Sequence, residues 1–505
     1  LEILEQLPQI LPSITTPWML FLMLGGVAFG TILGAIPGLT GGTGIALMLP
    51  VTYYMDPLSS LVFLSSIYTG GNYGGAITAI LINAPGSPAS AATVFDGYPM
   101  MQKGQVGRAL GLAVGASALG SLIGSLVLLF AIGPLGTLAL SFGPPEMFMI
   151  AIFGLTIIAS LQGANVAKGY LAGLLGLLLG MVGMSTTGAM RGTFGNYQLL
   201  DGVPLIPALI GLFCFSELLV LLDQSYLSKT TRLSREQIGE MFRGMREVLR
   251  HPWNIIRSAA IGVGVGALPG AGATVASLVS YNAAKHSSRN PSRFGTGIPE
   301  GIIASESANN SSEGGATATM LVLGVPGGAA TAVMLGAIIL QGWVPGPRMV
   351  YEHQDVVYAY IVANALQDFL LLPVGFVLSY AFSKVVNIPV RYLVPVLGVL
   401  TVAGTYAGRN SLVDPVVMVA FGVLGWLLRR YDYPVIAVIL GIILGPLADA
   451  ELIRTMQRFG GDLTVFVTRP ISLILLLASV GALVGSHVMT RKARARVETE
   501  SAASG

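Results

Sequence analysis

Apolar runs of about 18 residues or more recur from Trp18 to Met489, each long enough at 1.5 Å per residue to cross most or all of a hydrocarbon core of about 30 Å. Polar positions collect in the loops between them, without the short alternating segments of a membrane barrel. The pattern predicts an all-α polytopic membrane protein with about a dozen membrane segments. Two runs are broken near their middles. GAIPGLTGG (34–42) interrupts the run from Trp18 to Val51, and GALPGAGAT (266–274) interrupts the run from Ser258 to Ala284. Proline removes a helical donor and glycine admits left-handed backbone, so each break reads as a planned opening.

The two breaks begin a series that occurs twice in the same order. Pro37 matches Pro269, Gly74-Gly75-Ala76 matches Gly314-Gly315-Ala316, and Pro85-Gly86 matches Pro326-Gly327. Farther on, Pro145 and Gly154 match Pro389 and Gly398, while Pro204 and Gly211 match Pro434 and Gly441. This predicts an internal duplication, with membrane repeat 1 at 17–223 and membrane repeat 2 at 254–452. The remaining segments are an N-terminal interfacial segment (1–16), a basic cytoplasmic linker (224–253), an outer loop with a final transmembrane helix (453–490), and a cytoplasmic tail with a basic start (491–505).

Cytoplasmic loops collect Lys and Arg, so loop charge tests the orientation of the repeats. The loop at Asp56 has no basic residue, whereas its counterpart carries Lys285, Arg289 and Arg293. In the next pair the bias reverses, with Lys103 and Arg108 facing PRMVYEHQD. The alternation predicts inverted-topology repeats, with Arg191 and Arg409 as basic exceptions on the outer side. The pieces flanking ALPGAG, about a dozen residues each, span only about 18 Å. A re-entrant hairpin with its tip at Pro269-Gly270, mirrored at Pro37-Gly38, fits better than the alternative of one broken helix crossing the membrane.

Composition narrows the function. Of 505 residues 53% are hydrophobic and only 10% charged, far from the quarter or so of charged residues usual in soluble domains. The 66 glycines suit close helix packing, and GLAVG at Gly111–Gly115 reads as an ordinary contact of that kind. The single cysteine, Cys214, excludes an internal disulfide or a cysteine metal cage, and a net charge of +3 gives no reason to expect nucleic acid as a partner. The first Lys or Arg is Lys103, so no cleavable signal peptide is expected. Neither a GxxxxGK[ST] loop, a GxSxG elbow nor a clustered His/Asp set occurs; an enzyme, a cofactor and a metal centre are not expected.

Broken helices in corresponding places of inverted repeats are the pattern of secondary transporters, whose sites lie at the bilayer midplane. Half-helices that start there direct free N–H groups and positive dipole ends at an anion. Nearby side chains are small and neutral: Thr40, Thr43, Asn72, Thr78 and Ser87 in the first half, and Thr274, Asn309, Asn310, Ser311, Ser312 and Thr317 in the second. They can donate to a carboxylate or accept for a sodium ion. Glu313, two residues before Gly315, is a candidate for cation binding or proton relay, or equally a helix cap. Glu146, Glu217, Asp368 and Asp414 read as solvated groups near helix ends, Asp96 as a turn former. Basic residues fall on cytoplasmic loops, so no arginine clamp for the substrate is evident. An anion channel is the competing function, because broken helices also build filters.

The stretches AIPGLTGGTGIALMLP, GGNYGGAITAILINAPGSPASAATVFDGYPM and QKGQVGRALGLAVGAS, with ALPGAGATVAS and NNSSEGGATATMLVLGVPGGAATAVMLGA in the second half, resemble the large membrane subunit of tripartite tricarboxylate transporters, the TctA family. The resemblance implies a bacterial inner-membrane importer of organic carboxylates driven by an ion gradient, with Na⁺ or H⁺ as coupling ion. It also implies a small four-helix membrane subunit and a periplasmic solute-binding protein as partners. Carried onto this chain, the family motifs fall on Pro37 and Gly38, Gly74 and Gly75, Pro85 and Gly86, Pro269 and Gly270, Gly314 and Gly315, and Pro326 and Gly327. Their implied role is backbone geometry, with the adjacent Asn, Ser and Thr residues as ligands.

Overall fold

A computed structural model of the chain describes residues 2–161, 166–222, 235–385 and 390–485. Among these the backbone is helical apart from turns and one two-residue ladder, β1 (Gly183–Met184) with β2 (Met190–Arg191). In the first half run α1 (Glu2–Ile14), α2 (Pro17–Gly34), α3 (Gly41–Met48), α4 (Pro57–Ile82), α5 (Ala91–Gln102), α6 (Val106–Ala139), α7 (Pro144–Leu161), α8 (Val166–Gly180), α9 (Leu205–Ile210) and α10 (Ser216–Leu221). After α11 (Arg235–Glu247) come α12 (Pro252–Gly266), α13 (Gly272–Ser287), α14 (Pro299–Leu323), α15 (Ala329–Leu340), α16 (Pro347–Glu352), α17 (Gln354–Val385), α18 (Val390–Arg409), α19 (Val413–Arg430), α20 (Val435–Arg458), α21 (Val465–Thr468) and α22 (Pro470–Gly485). Among the described residues four helices are long and apolar enough to cross a membrane, at Pro17–Gly34, Val106–Ala139, Gln354–Ser383 and Val435–Arg458, and several shorter ones are also apolar. The chain is an all-α multi-pass membrane protein.

Each break is a hairpin turn rather than a kink. Along α4, α2 passes Ser66 at Gly26 and reaches Gly71 at Gly34; α3 then starts beside Gly71 at Gly41 and is back at Ile67 by Gly44. Likewise α12 meets Ser312 of α14 at Gly266, and α13 returns until Ser280 Oγ donates to Ala304 O at 2.8 Å. Gly38 and Gly270 carry φ of 94° and 71° at the two tips, a left-handed conformation that disfavours side chains. Thr40 and Thr43 form a reciprocal capping box that starts α3.

Contacts repeat between the halves, and they move the glycine pairing by one residue. Gly74 abuts Thr31 O and Ala35 N, while Gly315 abuts Val263 O and Ala267 N, the residues 232 positions on. Gly86 presses on Gly75 as Gly327 presses on Ala316. Gly74 therefore stands where Gly315 does, 241 positions apart, and Gly75 stands where Ala316 does. Gly314 answers to a different neighbour, Gly124 of α6. The same spacing relates the left-handed residues that end α4 and α14, Asn83 (φ 59°) and Gly324 (φ 68°). Pro204 and Pro434, paired in sequence, are the N-caps of α9 and α20; Pro389 lies outside the described residues.

The expected linker is in part a docked helix. Carbonyls of Gln237 and Met241 on α11 sit against Gly107 and Gly111 of α6, where any side chain would intrude. Arg108 clamps the helix end through Glu247 at 2.5 Å, which holds the Glu247 carboxyl below its ordinary range through the hydrogen bond and the guanidinium charge. Farther along the chain, α20 continues without interruption to Arg458.

Candidate functional site

Three helix N-termini and one turn converge on a cavity of about 530 Å³. The α3 start supplies Thr40, Gly41 and Gly42, the α13 start Gly270 to Val275, the α15 start Gly328 to Ala330, and the turn before α5 supplies Ser87 to Ala89. At these starts the N–H of Ala271 donates to Leu268 O, that of Thr43 to Thr40 Oγ1 and that of Gly328 to Thr331 Oγ1, while glycine and alanine side chains leave room for a ligand to approach the helix N-termini. Tyr68 and Asn72 of α4 add side chains. The rest of the lining is Phe213, Arg429 and Tyr433 to Ile436, from the π-helical turn between α9 and α10, the end of α19 and the start of α20. Among the described residues Arg429 is the one charged residue lining the cavity. It pairs with Glu217 of α10 at 2.8 Å, and its Nε is buried without a partner.

Next to this cavity α4 and α14 cross. Thr69 Oγ1 donates to Glu313 at 3.0 Å, and Asn309 Nδ2 donates to the Asn72 carbonyl at 3.1 Å. The contacts pair the later residue of one helix with the earlier of the other, so the helices cross antiparallel. Gln367 of α17 joins them, donating to Thr69 at 3.1 Å and accepting from Ser66 at 2.7 Å. Three carboxylates in this region are fully or almost fully buried: Glu306, Glu313 and Asp368. Their partners are hydroxyls: Thr93 and Ser117 for Glu306, Thr69 for Glu313, and Ser125 for Asp368. None is in an ion pair among the described residues. A buried carboxylate without a cationic partner is stable only when a proton or bound cation neutralises it.

Of the residues singled out in the sequence, Thr40, Asn72, Ser87, Gly270 and Thr274 line the cavity. Pro37, Gly38 and Pro269 form the hairpin tips, where the Gly38 N–H donates to Gly86 O at 3.2 Å. Thr43 is spent in the capping box. Gly74, Gly75, Gly86, Gly314, Gly315 and Gly327 sit behind the cavity, where neighbouring backbone or side chains fill the space a Cβ would need. Pro85 and Pro326 follow the ends of α4 and α14. Thr78 bonds only its own helix, as does Ser312, while Ser311 reaches Ala259 O of α12. Thr317 is buried in α14. Asn310 is fully buried with both side-chain amide atoms unpartnered, and the side-chain Oδ1 of Asn309 is also unpartnered.

The acids expected to be solvated are not. Glu146 is buried against Arg469 at 2.5 Å and Ser472 at 2.9 Å, Asp414 pairs with Arg409, Glu217 pairs with Arg429, and Asp368 lies within α17 rather than at its end. Helix packing supplies each with a partner that lies remote in sequence or beyond a turn. Asp96 organises a loop in the other half, accepting from the N–H groups of Gly295, Gly297 and Ile298 and from the Tyr281 hydroxyl. Sequence reasoning missed Arg429, Tyr68 and Tyr433. The charge of Arg429 next to Arg430 reads as a loop marker, and only the packing of α19 on α10 turns it inward.

A family model described as the tripartite tricarboxylate transporter TctA family matches residues 20–440. An uncharacterized 52.8 kDa protein in the TAR-I ttuC' 3' region of Agrobacterium vitis is 36% identical over 461 residues, covering 91% of each chain. A second uncharacterized protein of that organism, in the TAR-II ttuC' 3' region, is 36% identical over 212 residues, 42% of this chain and 88% of its own. No solved structure matches.

Proposed function

From the premise that this chain belongs to the tripartite tricarboxylate transporter TctA family, and so is a membrane subunit of such a transporter, we propose that it carries an organic carboxylate inward by alternating access at the cavity. The observation that carries this reading is the convergence on one cavity of the α3 and α13 starts, one from each hairpin, together with the α15 start, a polar lining suited to a carboxylate. A cation gradient is the proposed drive, with Na⁺ favoured at the unwound segments and the adjoining buried acids. The proposed setting is a bacterial inner membrane, with the small four-helix subunit and a periplasmic solute-binding protein as partners.

The proposed architecture is two inverted repeats with re-entrant hairpins. Equivalent helices α4 and α14 crossing antiparallel support it, as does the alternation of loop charge. In a Cys214→Ala background, a cysteine at Ser288 is expected to resist membrane-impermeant reagent from outside while one at Asp56 reacts. Equal labelling of both from outside overturns the inversion.

Filling the cavity tests the site itself. Ala273→Trp adds bulk where substrate is proposed to lie, so uptake of radiolabelled citrate, malate or succinate by the complete complex is expected to fall to background, while Ala273→Ser transports. Normal uptake by a correctly inserted Ala273→Trp protein removes the cavity from the pathway.

A further inference from the structure

Arg429 stands where the mostly neutral lining of the cavity acquires a charge. Its side chain is 34% exposed, open toward the cavity, whereas its partner Glu217 is 8% exposed. Of the guanidinium's three nitrogens, Nη1 lies 2.8 Å from Glu217 Oε2 in the ion pair and the Nε–H is buried without an acceptor. Glu217 in turn reaches the tip of the first hairpin: a methyl on Gly38 would lie 3.0 Å from its Oε1. The Gly38 N–H is already committed to Gly86 O, so it cannot serve the carboxylate. The pair thus joins the hairpin tip to the end of α19, with Arg429 at the cavity lining and Glu217 behind it.

We propose that Arg429 is the carboxylate-binding group of this cavity and that Glu217 is its resident counter-anion, exchanged for a carboxylate of the substrate as the cavity fills. The inference rests on the transport reading above and adds to it a residue and a step. A planar guanidinium binds a carboxylate bidentately, and its attraction for a free anion is strong in a site walled by apolar side chains. With the cavity empty, Glu217 supplies the anion, so no unpaired buried charge remains. When substrate leaves, Glu217 returns to Arg429 and competes against rebinding. Glu217 therefore weakens substrate affinity while speeding release, and removing it shifts both in the opposite sense.

The test uses the complete three-component complex in proteoliposomes, with whichever of radiolabelled citrate, malate or succinate the wild type takes up best. Arg429→Gln is expected to raise the apparent KM about 10- to 100-fold, the range for losing a hydrogen-bonded charge partner. Arg429→Lys recovers part of that loss. Glu217→Gln is expected to lower the apparent KM and to slow maximal uptake. The deciding variant is the double substitution Glu217→Gln with Arg429→Gln, which strands no charge and so separates binding from folding. A high KM in the double variant supports the proposal; wild-type kinetics there reduce the pair to a structural ion pair and overturn it. A wild-type complex that imports none of the three carboxylates is a distinct result, because it removes the transport reading and the proposal with it.

Discussion

Gly74→Val and Gly315→Val are each expected to reduce uptake to background, whereas Gly25→Val and Gly264→Val on the adjoining hairpin helices leave it near wild type. The first two glycines occupy equivalent contacts. A Cβ at Gly74 meets Thr31 O and one at Gly315 meets Val263 O, both backbone atoms within a helix that cannot swing aside. At Gly25 and Gly264 a Cβ meets nothing within 4 Å. Overpacking a close contact typically costs about 1–3 kcal/mol, and here it would push each hairpin away from the core helix that sets the level of its tip. Uptake by inserted protein, together with thermal stability in detergent, checks the contrast. Valine tolerated at both Gly74 and Gly315 would mean that hairpin and core helix need not approach this closely.

The contrast also shows what could be read from the sequence. Breaks at Pro37 and Pro269 were legible because proline and left-handed glycine leave a local mark that no packing erases. The hairpin form at Pro269 followed from length, since the pieces that flank it are too short to span, whereas α2 before Pro37 is itself long enough to cross and its return along α4 shows only in the packing. The register of Gly74 was not legible: GG in both halves invites alignment, but Gly314 is set by Gly124 and not by the repeat. Tertiary contact fixed the partner.

The candidate site divides along the same line. Thr40, Ser87 and Thr274 stand beside breaks, so their place in the cavity could be anticipated. Arg429 and Glu217 lie more than 200 positions apart and meet only through helix packing. Each alone resembles a residue at a membrane boundary. The docking of α11 was hidden similarly, because a basic segment between two membrane halves looks like a solvated connection until Gly107 and Gly111 are seen to receive it.

Glu313→Gln is expected to abolish accumulation of the carboxylate while leaving the protein folded. Its carboxylate meets Thr69 at the crossing of α4 and α14, almost fully buried and, among the described residues, without an ion-pair partner. A neutral amide of nearly the same shape removes a charge that must otherwise be neutralised, so stability is retained or improved. If that neutralising cation is the coupling ion, the variant still exchanges substrate across the membrane but can no longer concentrate it, because the differential binding that links the two gradients has gone. The decisive measurement is carboxylate uptake by proteoliposomes holding the complete complex, made with wild type and with Glu313→Gln. Wild type is expected to accumulate substrate only under an inward Na⁺ gradient and to continue when the proton gradient is collapsed at fixed Na⁺, whereas the variant does not accumulate it. Accumulation following the proton gradient alone would replace sodium by a proton, and equal uptake by both proteins with neither gradient imposed would contradict a gradient-driven carrier.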